Sequence, residues 1–152
     1  MLSVVIPAYN EADRILPTLA RMREYLDACG KPFPREFPAR REVFVARSRA
    51  EALQLCAPYL AAKYEVYYNQ WGQGKAMPAG DNNLGGDFAE LIRDRFLLGS
   101  PDEVAEQILT LHRATGINHL IMSVQWPGMP QSLLLDELHM LAEEVFPKVR
   151  QG

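Results

Sequence analysis

The run Gln125-Trp126-Pro127-Gly128-Met129 gathers more ligand-holding chemistry than any other stretch of the chain. Trp126 offers a flat apolar face for stacking, Gln125 a side-chain amide that both donates and accepts, and Pro-Gly-Met a stiff turn. The same residues also suit a plug and a turn, with Trp126 filling the mouth of the sheet. A second candidate is Gly99-Ser100-Pro101, at a strand-to-helix junction. Free N–H groups at a helix start can receive a phosphate. Ser100 and Glu103 can also satisfy those groups themselves, and simple capping is the favoured reading. Arg95 could pair with an anionic ligand or join Arg93 and Asp94 in a solvated charge cluster.

Other reactive side chains are scattered. His112 and His139 fall within helical patterns, and His119 opens a strand at the end away from the expected site. None has a second ligand at metal spacing, so no metal is expected. Cys29 and Cys56 are too few for a disulfide framework and have no histidine base nearby in sequence, and Cys56 suits the core. Tyr64, Tyr67, Tyr68 and Trp71, with Lys63 and Lys75, could stack on nucleic acid bases. The 16 Lys+Arg against 19 Asp+Glu leave a formal charge of −3 and no basic stripe. Helix-packing or subunit-interface aromatics are therefore the better reading, with no nucleic acid partner. At 48% apolar and 23% charged residues, the chain can bury a core and does not read as disordered. It has no apolar run long enough to span a membrane, and no signal-peptide pattern at Met1–Pro7. A reducing, cytoplasmic setting is the expectation.

The elements that must position these groups alternate in type. Leu2–Ile6 reads as a buried strand, and Ile15, Leu19, Met22 and Leu26 form the apolar stripe of a helix that Asn10 can cap and Gly30 ends. Residues 31–41 hold three prolines and four basic residues and read as an extended connector, a candidate seam. Glu42–Ala46 is a second strand. Ser48 and Glu51 have capping-box spacing before a helix running to about Asn69. Residues 70–86 form a glycine-rich loop, and Asp87 caps a short helix with Phe88, Leu91 and Ile92. Arg95–Leu98 is a third strand, followed by the Ser100-Pro101-Asp102-Glu103 helix start and a helix that Gly116 ends. The near-continuous apolar run His119–Val124 reads as a strand covered on both faces. The last helix spans about Gln131–Val149, with Leu134, Leu138, Leu141 and Val145 inward. This order predicts an α/β fold with about four mainly parallel strands and flanking helices, either an open sheet or half of a (β/α)8 barrel.

From about Pro34 to Arg150 the chain resembles the C-terminal part of the luciferase-like monooxygenases. The matching stretches are REVFVARSRAEAL, YLAAKY, RDRFLLGSPDEVAEQI, GINHLIMSVQWPGMP and LAEEVFPKVR, in that order. The resemblance implies a partial, half TIM-type (β/α)8 barrel and chemistry with reduced FMN or deazaflavin. It also implies that the loop after His119–Val124 borders the isoalloxazine pocket. Gln125, Trp126, Gly128 and Met129 would then be cofactor-binding, together with Ser100. Residues 1–33, through SVVIPAYNEADRILPTLARMREYL, resemble instead the opening strand and helix of a family 2 glycosyltransferase, where Tyr9, Asn10 and Glu11 would help hold a nucleotide. The later Asp-x-Asp metal pair of that family is absent from the sequence.

These resemblances imply a truncated flavin- or deazaflavin-dependent oxidoreductase homologue, not competent as a monomer, acting on a small-molecule substrate if active. The alternatives are a glycosyltransferase-related fragment and a non-catalytic, self-associating domain. An unclosed sheet exposes edges and apolar faces, which favours a homodimer.

Overall fold

The computed structural model describes residues 15–66, 88, 92 and 95–151. The proposed first strand, Leu2–Ile6, the cap Asn10 and the loop 70–86 lie outside the described residues. Helix α1 (Ile15–Ala28) presents Leu19, Met22 and Leu26 as its half-buried stripe, packs against α3 (Pro101–Thr115), and is followed by Gly30 at φ 62°. Strand β1 (Pro38–Val45) feeds α2 (Arg49–Tyr64); β2 (Phe96–Gly99) feeds α3; β3 (His119–Ser123) feeds α4 (Gln131–Met140). A π-helical turn, Leu141–Val145, then joins α4 to α5 (Phe146–Gln151).

The strands form a three-stranded parallel sheet in the order β2-β1-β3. A barrel winding sets each strand beside its neighbour in sequence. Here β1 lies between β2 and β3, so the half-barrel order is not the order of the described strands. The chain covers one face with α2 and the other with α3, the π turn and α5. Alternation along β1 separates the two cores. Phe44 and Ala46 join Phe96, Leu98, Ala52, Cys56 and Leu60 on the α2 side; Val43 and Val45 join Leu97, Val104, Ala105 and Ile108 on the α3 side.

Three sequence expectations need correction. The connector ends earlier than residue 41, because Pro38–Arg41 pair with His119–Met122 and belong to β1. Proline is tolerated there as the first residue of a strand. The run at 119–123 is not covered on both faces: β3 is a sheet edge among the described strands, and Ile121 is 48% exposed. Its α3-side residues Leu120 and Met122 pack on the core, while His119 and Ile121 opposite are exposed. In the last helix Leu138 is exposed, and Glu137 takes the inward place. The helix passes over the end of the sheet, so its buried side is set by two cores rather than by one straight stripe.

Local signals at α3 are met closely. Ser100 Oγ accepts from Glu103 N, Glu103 Oε2 accepts from Ser100 N at 2.8 Å, and Gly116 closes the helix at φ 75°. At α2, Ser48 caps as expected, but the Glu51 carboxylate accepts from Arg47 N at 2.9 Å rather than from Ser48. The connector is stitched to β3 by Asn118, which accepts from Phe37 N and donates to Arg35 O, both at 2.8 Å.

The outer edge of β2 is closed by side chains. Gln107 on α3 accepts from Leu98 N at 3.3 Å and donates to Leu98 O at 3.1 Å, as a further strand would, and Arg49 adds a bond to Leu98 O at 2.7 Å. Gln107→Ala should strand the Leu98 N–H and cost about 1–2 kcal/mol, read as a lower urea midpoint at unchanged m.

Candidate active site

Parallel strands carry their functional groups at their C-terminal ends, outside the sheet. The start of α2, which follows β1, and helix α4, which follows β3, come together there. Between the start of α2 and helix α4 lies a crevice of about 540 Å³. Its apolar lining comes from Val45, Ala46, Leu55, Leu133 and Met140. Its charged lining is Arg47, Glu51, Asp136, His139, Glu143 and Glu144. Arg47 pairs with Glu144 at 2.7 Å and His139 meets Glu143 at 3.1 Å, so both basic groups are engaged by carboxylates.

The loop after β3 is anchored from beneath. Trp126 is 2% exposed and packs against Phe44 with ring centroids 6.0 Å apart. Its indole N–H donates to Glu42 Oε2 at 2.6 Å, while Lys63 on α2 ion-pairs with Glu42 Oε1. One carboxylate thus binds the loop, β1 and α2 together. Met129 is buried in the same core, and its N–H donates to Trp126 O at 3.1 Å to close the turn. Gln125 and Gly128 are exposed, and Gly128 takes φ 83°, a left-handed conformation suited to glycine.

Glu137 is wholly buried on α4, and neither carboxyl oxygen has a hydrogen-bond partner. Burial pushes its carboxyl up to about 9, against a smaller opposing pull from the Val45 backbone. Burial likewise raises the Cys56 thiol to about 12, with the nearby Glu137 charge adding to the shift, so this cysteine is a poor nucleophile.

The structure therefore splits the candidates. Gln125 and Gly128 face solvent at the sheet end, whereas Trp126 and Met129 lie below them in the core. Ser100 sits at another strand end, its hydroxyl and N–H both taken by the capping box. Lys63 faces inward to Glu42. Arg95 is half-buried at the start of β2; Tyr67, Tyr68, Trp71 and Lys75 lie outside the described residues. His112 lies against Ile117 O at 2.6 Å and His119 is exposed at the start of β3. No group of three metal-ligating side chains occurs among the described residues, and none of their helices is long and apolar enough to cross a membrane. Sequence reading misses Glu42 and Glu137 and gives Lys63 a different setting. The visible hint is a charge set inside an apolar run.

No family model and no curated protein matches the chain. Solved structures do. The oxygenating constituent of 3,6-diketocamphane monooxygenase, a type II Baeyer–Villiger monooxygenase from the CAM plasmid of Pseudomonas putida solved with FMN, is 28% identical at a TM-score of 0.63. That match covers 88% of this chain and 41% of the other. The monooxygenase RslO1 from Streptomyces bottropensis is 21% identical at 0.64, covering 94% of this chain and 40% of its own. Riboflavin lyase RcaE, solved with modified FMN and riboflavin, is 14% identical at 0.56, covering 91% of this chain and 36% of its own. The latter two show a shared fold. The chain spans about two-fifths of the structures it matches. These neighbours support the luciferase-like resemblance. They do not show the glycosyltransferase one, whose Tyr9, Asn10 and Glu11 lie outside the described residues.

A flavin mononucleotide needs a flat apolar wall and a cradle for its phosphate. Gln125 and Gly128 are exposed at the sheet end, and the flat indole of Trp126 is turned into the core. The start of α3 supplies no cradle, because a Cβ added at Gly99 would already meet Glu103 Oε2 at 2.7 Å. The crevice rim is rich in carboxylates. The described residues thus offer an exposed sheet end and no cradle for a phosphate.

Two measurements check this electrostatic picture. Glu42→Ala leaves the Trp126 N–H and the Lys63 ammonium without their buried partner and should cost about 3–5 kcal/mol in urea unfolding. Glu137 binds a proton in the native state up to about pH 9 but in the unfolded chain only up to about 4.5. The native state must therefore take up a proton between those values, and its contribution to stability falls as pH rises, by about 1.4 kcal/mol per unit. The difference in stability between the wild type and Glu137→Gln, followed from about pH 5 to 8, should show that slope.

Proposed function

We propose that the chain is a partial homologue of the luciferase-like, flavin-dependent oxidoreductases, of the monooxygenase kind, and that the loop Gln125–Pro130 forms one border of the flavin pocket. The observation that carries this reading is the 28% identity over 88% of the chain with an FMN-bound monooxygenase. In support, the loop lies at the C-terminal end of a parallel sheet, where such folds hold ligands. When bound, the flavin would supply the redox chemistry. This chain's residues orient and enclose: Gln125 offers its amide to a polar ring edge, Gly128 allows close approach, and Trp126 locks the loop to Glu42 from below. The rest of the pocket, including a phosphate cradle, comes from parts of the fold beyond this span. We therefore read the chain as inactive alone, and FMN as its cofactor by likeness, with deazaflavin the comparison.

Titration of the purified chain with FMN and deazaflavin, followed by flavin fluorescence, tests the reading. Saturable FMN binding is expected between about 10 µM and 1 mM. Gln125→Ala should weaken it, and reduced FMN should consume oxygen no faster with the chain than without it. No saturation up to about 1 mM would mean that the likeness records ancestry rather than function.

A further inference from the structure

Helix α4 crosses the end of the sheet instead of lying along one face. Leu133 and Leu134 pack into the core on the α2 side, and Met140, Leu141 and Val145 pack into the core on the α3 side. Between these two seats β1 has outrun its neighbour: pairing with β3 stops at Glu42↔Ser123, while β1 continues to Val45. Glu137 sits midway along α4 at this point, wholly buried, with both carboxyl oxygens unpartnered. From β1 the Val45 backbone acts on it, and from α2 the Cys56 thiol feels its charge. Asp136 and His139 flank it on α4, while Arg47 and Glu51 line the far side of the crevice. Arg47 is held by Glu144 and His139 by Glu143, so neither neutralises Glu137.

We infer that α4 is a proton-gated clasp over the crevice at the end of β1, seated while the Glu137 carboxyl is neutral and lifted when it gives its proton to water. A buried carboxylate with no cation, and with only the Val45 backbone to draw on it, costs far more than a buried neutral acid. Relief comes more cheaply by moving α4 than by ionising in place. The outer face of α4 is free of the core, with Leu135 54% and Leu138 41% exposed. Its C-terminal end runs into the π turn, a weaker stretch of helix that suits a hinge. Because Leu133, Asp136, His139 and Met140 line the crevice, lifting α4 widens it. The inference does not depend on flavin binding.

Hydrogen exchange of the intact chain, resolved by amide between about pH 6 and 9, tests it. After correction for the chemistry of exchange itself, protection of Leu134–Met140 should fall about tenfold per pH unit. Val43–Val45 and Val104–Ile108, which open only with the whole molecule, should stay protected well above α4 at every pH. In Glu137→Gln the α4 dependence should vanish; Glu137→Leu provides the same comparison if the glutamine variant folds poorly. Protection of α4 that ignores pH would overturn the clasp. So would protection of α4 as high as that of β1 and α3 at every pH, which marks whole-molecule unfolding, or a slope that survives both substitutions.

Discussion

The carboxylate of Glu42 is the constraint on which the functional end of the molecule rests. It is a buried anion on the central strand, and burial of an unpaired charge would cost several kcal/mol. Lys63 meets one oxygen and the Trp126 indole the other. This double engagement fixes how far α2 must run before Lys63 can reach β1, and where the β3–α4 loop must lie for Trp126 to reach the same group. Phe44, two residues on and facing the same side, then packs against the indole ring. Apolar replacements could fill the space, but none would fix loop, strand and helix to one another by direction as well as by contact.

The two edges of the sheet are treated differently. On β2 the Gln107 amide occupies Leu98, helped by Arg49, so that edge is closed by the protein's own groups. On the other side β3 stops short of β1, and α4 lies across the gap, contacting β1 directly. A helix laid across strand ends must bring some side chain against the backbone there. The chain supplies Glu137, and no cation meets it among the described residues; only the Val45 backbone draws on it, weakly against the cost of burial. The same crossing creates the crevice, because a helix spanning two cores cannot pack flat against both strand ends and the start of α2. Site and stress arise from one geometric fact.

How much of this is legible in the sequence follows the range of the interactions. The start of α3 at Ser100 and its end at Gly116 are readable because capping is settled within four residues. The parallel α/β class is readable because periodicity alternates along the chain. The status of β3 is not, because the same apolar run serves a central or an edge strand, and only its neighbours decide. Choosing Leu138 over Glu137 as the inward residue turns on about 100° of helix rotation, and hydropathy favours the wrong side. Glu42 and Trp126 stand 84 residues apart, and Glu42 and Lys63 stand 21 apart, so no local pattern announces either contact. The loop Gln125–Met129 is legible as a place but not as an arrangement: its strongest stacking candidate, Trp126, is the residue that holds it down.

That inversion bears on what the sheet end can recognise. Four carboxylates, Glu51, Asp136, Glu143 and Glu144, face one arginine and one histidine around the crevice. Such a rim repels a phosphate, and the start of α3 is already filled by Glu103. A flavin held against Gln125 and Gly128 would therefore have to direct its phosphate away from both, towards parts of the fold outside this chain's two-fifths share of its neighbours. On the proposed reading the ring and the phosphate would belong to different parts of the fold, and this chain would contribute only to the first. A span of parallel strands can retain the position of a site, because strand ends always gather loops. It does not by itself carry the cationic wall that a phosphate needs, and the crevice rim here is mostly carboxylate.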